Sequence, residues 1–337
     1  MKGQIFKIFS DFYYVKTDFG TIECKLKDIL KKKSEDVLVG DFVELDSVTQ
    51  DKSQAFISAV LTRKNFLSRP KVANISQAVI VSALKNPDLD FEQLNRYIAL
   101  CEYHKVKPVI CFNKCDLVKD IDFINYLKNI YEPIGYELFF TSALLGDGAE
   151  LLASILKGNV SIFCGASGVG KSTMINLLSD GVLHLQTKNV SDKTKRGVHT
   201  TRHCEIYTLK ENTSVVDTPG FSNAKFNFLL PKDVQNLFPE IKSLNNCRYS
   251  DCTHILENDC NVLLNIDKIH QTRYNSYIKF VEEAKEYKKK ITFEGKKCET
   301  SSKFNKGIEI AKISDRKRAL SRKTVNQNIV KKEVHND

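Results

Sequence analysis

The stretch Gly165-Ala166-Ser167-Gly168-Val169-Gly170-Lys171-Ser172 fits G-x-x-x-x-G-K-[ST] at every position, and no other part of the chain constrains the fold as much. Such a loop grips a polyphosphate only when a buried strand leads into it and a helix leaves it. NVSIFC precedes it here and STMINLLS follows. The glycines let successive backbone N–H groups turn inward, and the helix N-terminus adds partial positive charge. Lys171 is placed to reach the β and γ phosphates, and the Ser172 hydroxyl to bind Mg²⁺.

The surrounding sequence has the texture this loop requires. Buried-strand patterns occur at QAVIVSAL (77–84), VKPVICF (106–112), YELFFTSA (136–143), NVSIFCG (159–165), CEIYTL (204–209) and TSVVDTPG (213–220), with helical patterns between several of them. Between the first two, FEQLNRYIALCEYH puts Leu94, Ile98 and Cys101 on one face. The alternation predicts a mostly parallel sheet with helices on both sides, whose ligands bind at the carboxyl ends of the strands. Residues 1–66 instead read as short strands (IFKIF, FYYVKT, TIECKL, VGDFVELD), the pattern of a small β-barrel.

Two further loops bear on the phosphate site. Asp217-Thr218-Pro219-Gly220 ends a strand. Its carboxylate can hold Mg²⁺, and the Gly220 N–H can approach a γ phosphate with no side chain in the way. Asn113-Lys114-Cys115-Asp116 follows another strand. A carboxylate there accepts hydrogen bonds from N1–H and the 2-amino group of guanine. Adenine offers neither donor, so Asp116 would be left unpaired, at about 1–3 kcal/mol. The pattern resembles the base-specificity motif of GTPases, and Thr141-Ser142-Ala143 resembles the motif that supports it. Relative to Ras-like GTPases the order is changed: base motifs first, phosphate loop next, DTPG last. A circular permutation produces that order and preserves the site.

Cys247, Cys252, His254 and Cys260 supply three thiolates and one imidazole within 14 residues, the donor set of a closed tetrahedral Zn²⁺ site. One structural zinc per chain is expected, with metal binding supplying folding free energy to a segment too short for its own core. The other seven cysteines are scattered, mostly in apolar runs, and read as small buried hydrophobes.

The chain carries 51 Lys and Arg against 41 Asp and Glu, a formal net charge of +10. Residues 281–337 hold 16 basic and 9 acidic residues, including RKRALSRK, without strong apolar periodicity. A polyanionic partner suits this surplus. Lys7, Phe9, Tyr13, Tyr14 and Lys16 offer a basic, aromatic barrel surface for RNA. No stretch approaches the roughly 20 apolar residues of a membrane span. The N-terminus also lacks a secretory pattern, so a cytoplasmic protein is expected.

With VGDFVEL, LSRPKVANISQAVIV, NKCDL, TSALLGDG, GASGVGKST, RGVHTTR, DTPGF and CRYSDCTHILENDC on the page, the chain resembles the RsgA (YjeQ) family of circularly permuted bacterial GTPases over residues 1 to about 290. The resemblance implies a multidomain α/β protein. Residues 1–66 would form an RNA-binding OB-fold barrel, 70–228 the permuted GTPase domain and 229–298 a zinc-binding helical domain; the basic tail over 299–337 lies beyond the resemblance, and its composition predicts disorder. The resemblance implies GTP hydrolysis stimulated by the small (30S) ribosomal subunit, a role in late maturation of that subunit, contact with 16S rRNA, and a monomer.

By position, the resemblance gives Asn113, Lys114 and Asp116 to guanine, with Ser142 and Ala143 in support, and Gly165 to Thr173 to the phosphates. Arg196-Gly197-Val198-His199-Thr200-Thr201 then corresponds to the first switch, with Thr200 completing the Mg²⁺ shell beside Ser172 and Asp217. Ras-like enzymes orient the attacking water with a Gln where this chain has Phe221. His199 or a partner-supplied group is left for that task. A P-loop ATPase or kinase, and an RNA-binding protein that uses guanine nucleotide as a structural switch with little turnover, remain the alternatives.

Overall fold

A computed structural model of the chain describes residues 1–32, 36–68, 70–179, 205–209, 213–217, 225–295, 302–305 and 308–311. His199, Thr200, Gly220 and Phe221 lie outside these residues, as does the tail beyond 311.

The N-terminal strands β1 (Lys2–Phe9), β2 (Phe12–Thr17), β3 (Gly20–Leu26), β4 (Phe42–Asp46) and β5 (Gln54–Val60) close on themselves. β1, β2 and β3 form an antiparallel meander, β3 pairs parallel with β5, β5 antiparallel with β4, and β4 returns to β1. Closure leaves this sheet no free edge, and alternation sends Ile5, Val15, Ile22, Cys24, Val43, Leu45, Ala55 and Ile57 inward to fill it. The charged stretch after β3 contributes a short helix, α1 (Asp28–Lys32). The connection to the next domain is held by the buried Asp41. Its carboxylate takes Arg63 Nε at 2.7 Å, Arg63 Nη2 at 2.8 Å and the Leu38 N–H at 2.7 Å. A small hairpin, β6 (Phe66–Ser68) and β7 (Lys71–Ala73), follows.

The second domain contains, in chain order, β8 (Gln77–Ala83), α2 (Phe91–His104), β9 (Lys107–Asn113), α3 (Ile121–Tyr131), β10 (Glu137–Thr141), α4 (Ala149–Leu156), β11 (Val160–Cys164), α5 (Lys171–Leu178), β12 (Glu205–Thr208) and β13 (Ser214–Asp217). Its strand order is β10-β9-β8-β11-β13-β12. The first five strands are parallel, and β12 is antiparallel to β13. β8 is buried at every residue, which is why it reads as an unbroken apolar run. One face of the sheet packs Ile80, Ile110 and Phe112 against Leu94 and Ile98 of α2 and Leu127 and Ile130 of α3. The other packs Val79, Val81 and Phe163 against Leu152 of α4 and Met174 and Ile175 of α5. Asp90 and Asp120 cap α2 and α3 by accepting first-turn N–H groups. At its far edge the sheet meets the barrel, where β12 pairs with β1.

The C-terminal part is built on α6 (Pro239–Lys242), α7 (Asn261–Leu264) and the long α8 (Gln271–Gly295). α8 begins at Gln271, after a short 3₁₀ turn at Ile266–Lys268. Tyr274, Tyr277, Phe280, Val281 and Ala284 form the buried stripe of α8. Within the stretch expected to be unstructured, β14 (Ser302–Asn305) and β15 (Ile308–Ala311) pair as an antiparallel hairpin, a feature not foreseen in the sequence.

A wholly buried ion pair joins α8 to α6, and a partly buried one joins it to the second domain. The Arg273 guanidinium, 0% exposed, lies 2.7 and 3.2 Å from the Glu240 carboxylate and donates to Asn95 Oδ1 at 3.1 Å. It stacks over Phe238 at 4.6 Å. Arg96 of α2 holds Glu283 of α8 with two bonds of 2.7 and 2.8 Å, and Glu283 also accepts the Phe226 N–H at 2.9 Å.

Candidate nucleotide site and metal centre

The phosphate loop runs from the end of β11 into the first turn of α5, as its sequence requires. Gly165 has φ +142° and Gly170 φ +96°, in the region that favours glycine. A Cβ on Gly165 would strike the Val81 carbonyl oxygen, and one on Gly170 the Asn113 side-chain amide, both well inside contact distance. The loop therefore fits only as glycine at these two points. Lys171 Nζ bends back over the loop and donates to the carbonyls of Gly165 at 2.9 Å and Ala166 at 2.6 Å. Burial pushes its pKa below the ordinary lysine value.

Asn113, at the end of β9, is 1% exposed and binds the loops together. Its Nδ2 donates to Val169 O in the phosphate loop at 2.8 Å. Its Oδ1 accepts the Ala143 N–H at 2.9 Å and the Thr141 hydroxyl at 3.2 Å. Three stretches of sequence predicted separately, 113–116, 141–143 and 165–173, thus meet through one side chain. Ser142 is buried and turns its loop through the Leu145 N–H and the Asp147 carbonyl. Lys114, with φ +62°, donates to the Asn86 carbonyl. Among the described residues, Asp116 Oδ1 is a buried side-chain oxygen with no hydrogen-bond partner. An oxygen in that state costs about 1–3 kcal/mol unless a ligand supplies the missing donors. Asp217 ends β13, in the same sheet, its backbone opposite Glu205 of β12. Ser167, Gly168, Ser172 and Thr173 fall within the loop and first turn.

In the C-terminal part, one ligand atom from each of Cys247, Cys252, His254 and Cys260 comes within 4.8 Å of all the others. Cys247 Sγ and Cys260 Sγ each lie 3.4 Å from His254 Nδ1. His254 Nε2 is 2.8 Å from Gln235 Oε1, an atom that can only accept, so the ring proton belongs on Nε2 and the lone pair faces the three sulfurs. The chemistry of this donor set fits a bound metal ion. Glu257 shapes the ligand loop by accepting the N–H groups of Thr253, Ile255 and Leu256. Burial pushes its carboxyl up, but these donors and the Thr253 hydroxyl outweigh that effect and hold the pKa at about 2. From α8, Tyr274 and Tyr277 donate to the carbonyls of His254 and Thr253. Gln235, Glu257 and the two tyrosines were not singled out in the sequence. Gln235 sits 12 residues before the first cysteine, and nothing in the spacing marks it.

The basic surface expected on the barrel is partly spent within the protein. Lys7 pairs with Glu205 at 3.0 Å, and Lys16 donates to Thr208 at 3.3 Å. Cation–aromatic pairs on these surfaces include Lys25 over Phe12, Lys52 over Phe19 and, in the C-terminal part, Arg248 over Tyr249. Among the described residues, no helix is long and apolar enough to cross a membrane.

The family model of the RsgA GTPase matches residues 60–227, that of the RsgA N-terminal domain residues 2–57, and that of the 50S ribosome-binding GTPase residues 160–297. The protein named small ribosomal subunit biogenesis GTPase RsgA in Clostridium beijerinckii is 41% identical over 293 residues, 86% of this chain and 99% of the relative. The protein of the same name in Clostridium botulinum (strain Hall) is 39% identical over 295 residues, with the same coverage. Of solved structures, YjeQ from Thermotoga maritima superposes with TM-score 0.74 at 31% identity, over 84% of this chain and 98% of that one. YloQ, described as a circularly permuted GTPase, gives 0.70 at 28%, over 85% and 95%. With the loop order, the barrel and the thiolate–imidazole cluster all in agreement, the chain belongs to the RsgA GTPase family.

Proposed function

We propose that the chain hydrolyses GTP to GDP and phosphate on the small ribosomal subunit during its late maturation, as a cytoplasmic monomer that contacts 16S rRNA. The observation that carries the nucleotide part is the unpartnered, buried Asp116 Oδ1 in the loop that Asn113 ties to the phosphate loop. Guanine brings the two N–H donors such a carboxylate needs. Asn113, Lys114, Ser142 and Ala143 shape the base pocket. Gly165 to Thr173 carry the phosphates, and Lys171 moves from its own loop carbonyls to the β and γ oxygens. Ser172, Asp217 and Thr200 would hold Mg²⁺, with Gly220 against the γ phosphate. Mg²⁺ supplies charge neutralisation to the transferring phosphoryl group. Phe221 has no polar group with which to orient water, so His199 or a group from the subunit completes the site, and turnover depends on that partner.

Cys247, Cys252, His254 and Cys260 fit one structural Zn²⁺. All four protein donors are committed, which leaves no open position for activated water. The names of the relatives support the small subunit as partner. The cation–aromatic pairs Lys25–Phe12, Lys52–Phe19 and Arg248–Tyr249 support contact with single-stranded or looped RNA.

The test is a base swap. Asp116→Asn moves preference from GTP to xanthosine triphosphate, whose 2-oxo group accepts from the new amide. Unchanged GTP preference in that variant overturns the base assignment. GTP turnover measured with and without purified 30S subunits tests the partner, and equal rates overturn it.

A further inference from the structure

Three stretches far apart in the chain meet at the amino ends of the parallel strands, on the edge of the sheet opposite the nucleotide loops. α2 ends at His104, Lys105 turns the chain with φ +55°, and β9 starts two residues later. The segment entering β6 reaches this turn through Asn65, whose Nδ2 donates to the Lys105 carbonyl at 3.4 Å. The backbone of Phe66 lies against the His104 ring. The third stretch leaves the buried Phe226. Its Phe228 packs on the Tyr103 ring at a centroid distance of 4.9 Å and on Phe226 at 6.0 Å. Tyr103 in turn meets the His104 ring edge to face at 5.0 Å.

Three of these rings keep a large part of their surface in water: Phe66 is 51% exposed, Tyr103 42% and Phe228 38%. Their neighbours orient them without covering them. Tyr103 and Phe228 lean on each other, and the Arg63 guanidinium, held by Asp41, lies over the Phe66 ring at 5.9 Å. Apolar surface gathered and left in water marks a contact site. The charges around it give the chemistry of the partner. Lys64, Lys105 and Lys225, one on each stretch, are exposed, and none has an ion-pair partner among the described residues. Asp41 and Glu102, the acids beside these stretches, are turned inward, to Arg63 and to the Tyr136 hydroxyl at 3.1 Å. Oriented rings among unpaired cations match an RNA strand whose bases are unstacked, which offers a phosphate to each lysine and a π face to each ring.

We infer that Phe66, Tyr103 and Phe228, with Lys64, Lys105 and Lys225, form a binding surface for single-stranded or looped RNA on the nucleotide domain, separate from the contacts on the barrel and the metal module. The inference extends the ribosomal RNA reading above and rests on it. The surface lies at the other end of the strands from Asn113 and the phosphate loop, so RNA and nucleotide do not compete for it.

The experiment uses the full-length, zinc-loaded protein. Fluorescence anisotropy gives dissociation constants for a short unstructured RNA and for an RNA duplex of equal length, over a range of KCl concentrations. Y103L/F228L keeps the apolar bulk and removes two stacking faces. It weakens the single strand about five- to tenfold and leaves the duplex, whose bases are already stacked, unmoved. K64A/K105A/K225A weakens both RNAs, and for the single strand it lowers the salt slope of log K by about 2, at roughly 0.7 per phosphate contact. These three lysines are exposed, so this variant reports on the surface should Y103L/F228L misfold. GDP affinity is retained in both variants. Wild-type affinity for the single strand in Y103L/F228L, equal losses for strand and duplex in that variant, or an unchanged salt slope in the lysine variant overturns the inference. Loss of 30S subunit binding with RNA affinity intact assigns the surface to a protein partner and overturns it as well. Wild-type protein that binds neither RNA overturns the ribosomal RNA reading and this inference with it. Wild-type binding with both variants unmoved overturns this inference alone.

Discussion

Replacing Arg273 by Met should loosen the C-terminal module from the nucleotide domain. Arg273 is wholly buried, and its counter-ion Glu240 has a side chain only 10% exposed. Removing the guanidinium leaves that carboxylate without its counter-charge and takes one of the donors from Asn95 Oδ1, which keeps the Tyr131 hydroxyl at 3.1 Å. Breaking one side of a buried ion pair costs about 3–5 kcal/mol. For a folding unit of roughly 150–250 residues each kcal/mol moves the midpoint by about 2–4 °C, so a fall of about 6–20 °C is expected. Because Arg273 joins α8 to α6 and to Asn95 of α2, the loss should separate the melt of the C-terminal module from that of the nucleotide domain. Circular dichroism and scanning calorimetry of the zinc-loaded protein measure both. The double variant R273M/E240L removes both charges and packs apolar groups of similar size against Phe238 and Tyr136, so it should regain most of the loss. A single variant that melts within about 2 °C of wild type, below the 3 kcal/mol bound, or a double variant less stable than the single one, would refute the reasoning.

Chelation of the metal centre should open Cys247, Cys252 and Cys260 to alkylation at pH 8. Cys111 and Cys164, whose thiols burial pushes up to about 12 and which therefore stay protonated at that pH, should remain unlabelled, as peptide mass spectrometry will show. Gly170→Ala should weaken GDP binding on the order of tenfold or more, since its Cβ meets Asn113 and its φ of +96° adds about 1–3 kcal/mol of strain. Titration calorimetry on protein whose far-UV circular dichroism matches wild type separates this from misfolding.

The parts of the fold that were legible in the sequence are those decided locally. β8 and β11 read as strands because nearly every residue in them is buried, and the phosphate loop because its glycines answer steric demands within a few residues. The four residues that could hold a metal ion were legible for the same reason: 14 residues of chain hold them all. What was not legible depends on distant partners. KDILKKKSED gave no sign of α1, and its helix is only five residues long. Lys7 and Lys16 carry the composition of an RNA-facing surface, yet Glu205 and Thr208, nearly 200 residues away, occupy them. Gln235 orients His254 without any fixed spacing to the ligands, and Arg273 reads as one more charge on an amphipathic helix until Glu240 and Asn95 are found around it.

The permuted order of the motifs changes the neighbours of the site, and its geometry survives. The base and phosphate loops leave the carboxyl ends of parallel strands, so they converge whatever the order in which the chain visits those strands. Asn113 makes the point in one residue: it binds Ala143, 30 positions on, and Val169, 56 positions on, across two neighbouring loops. What the order does decide is where the chain goes after β13. Here Asp217 is followed, nine residues later, by Phe226, which is fully buried against Phe280 of α8 and held by Glu283, itself clasped by Arg96. On the other side of the same ladder, β12 is held by the barrel. The strand that ends in Asp217, the proposed Mg²⁺ ligand, is therefore bonded to the barrel through β12, so a force applied to the barrel by a large bound partner reaches that position through a short, hydrogen-bonded ladder.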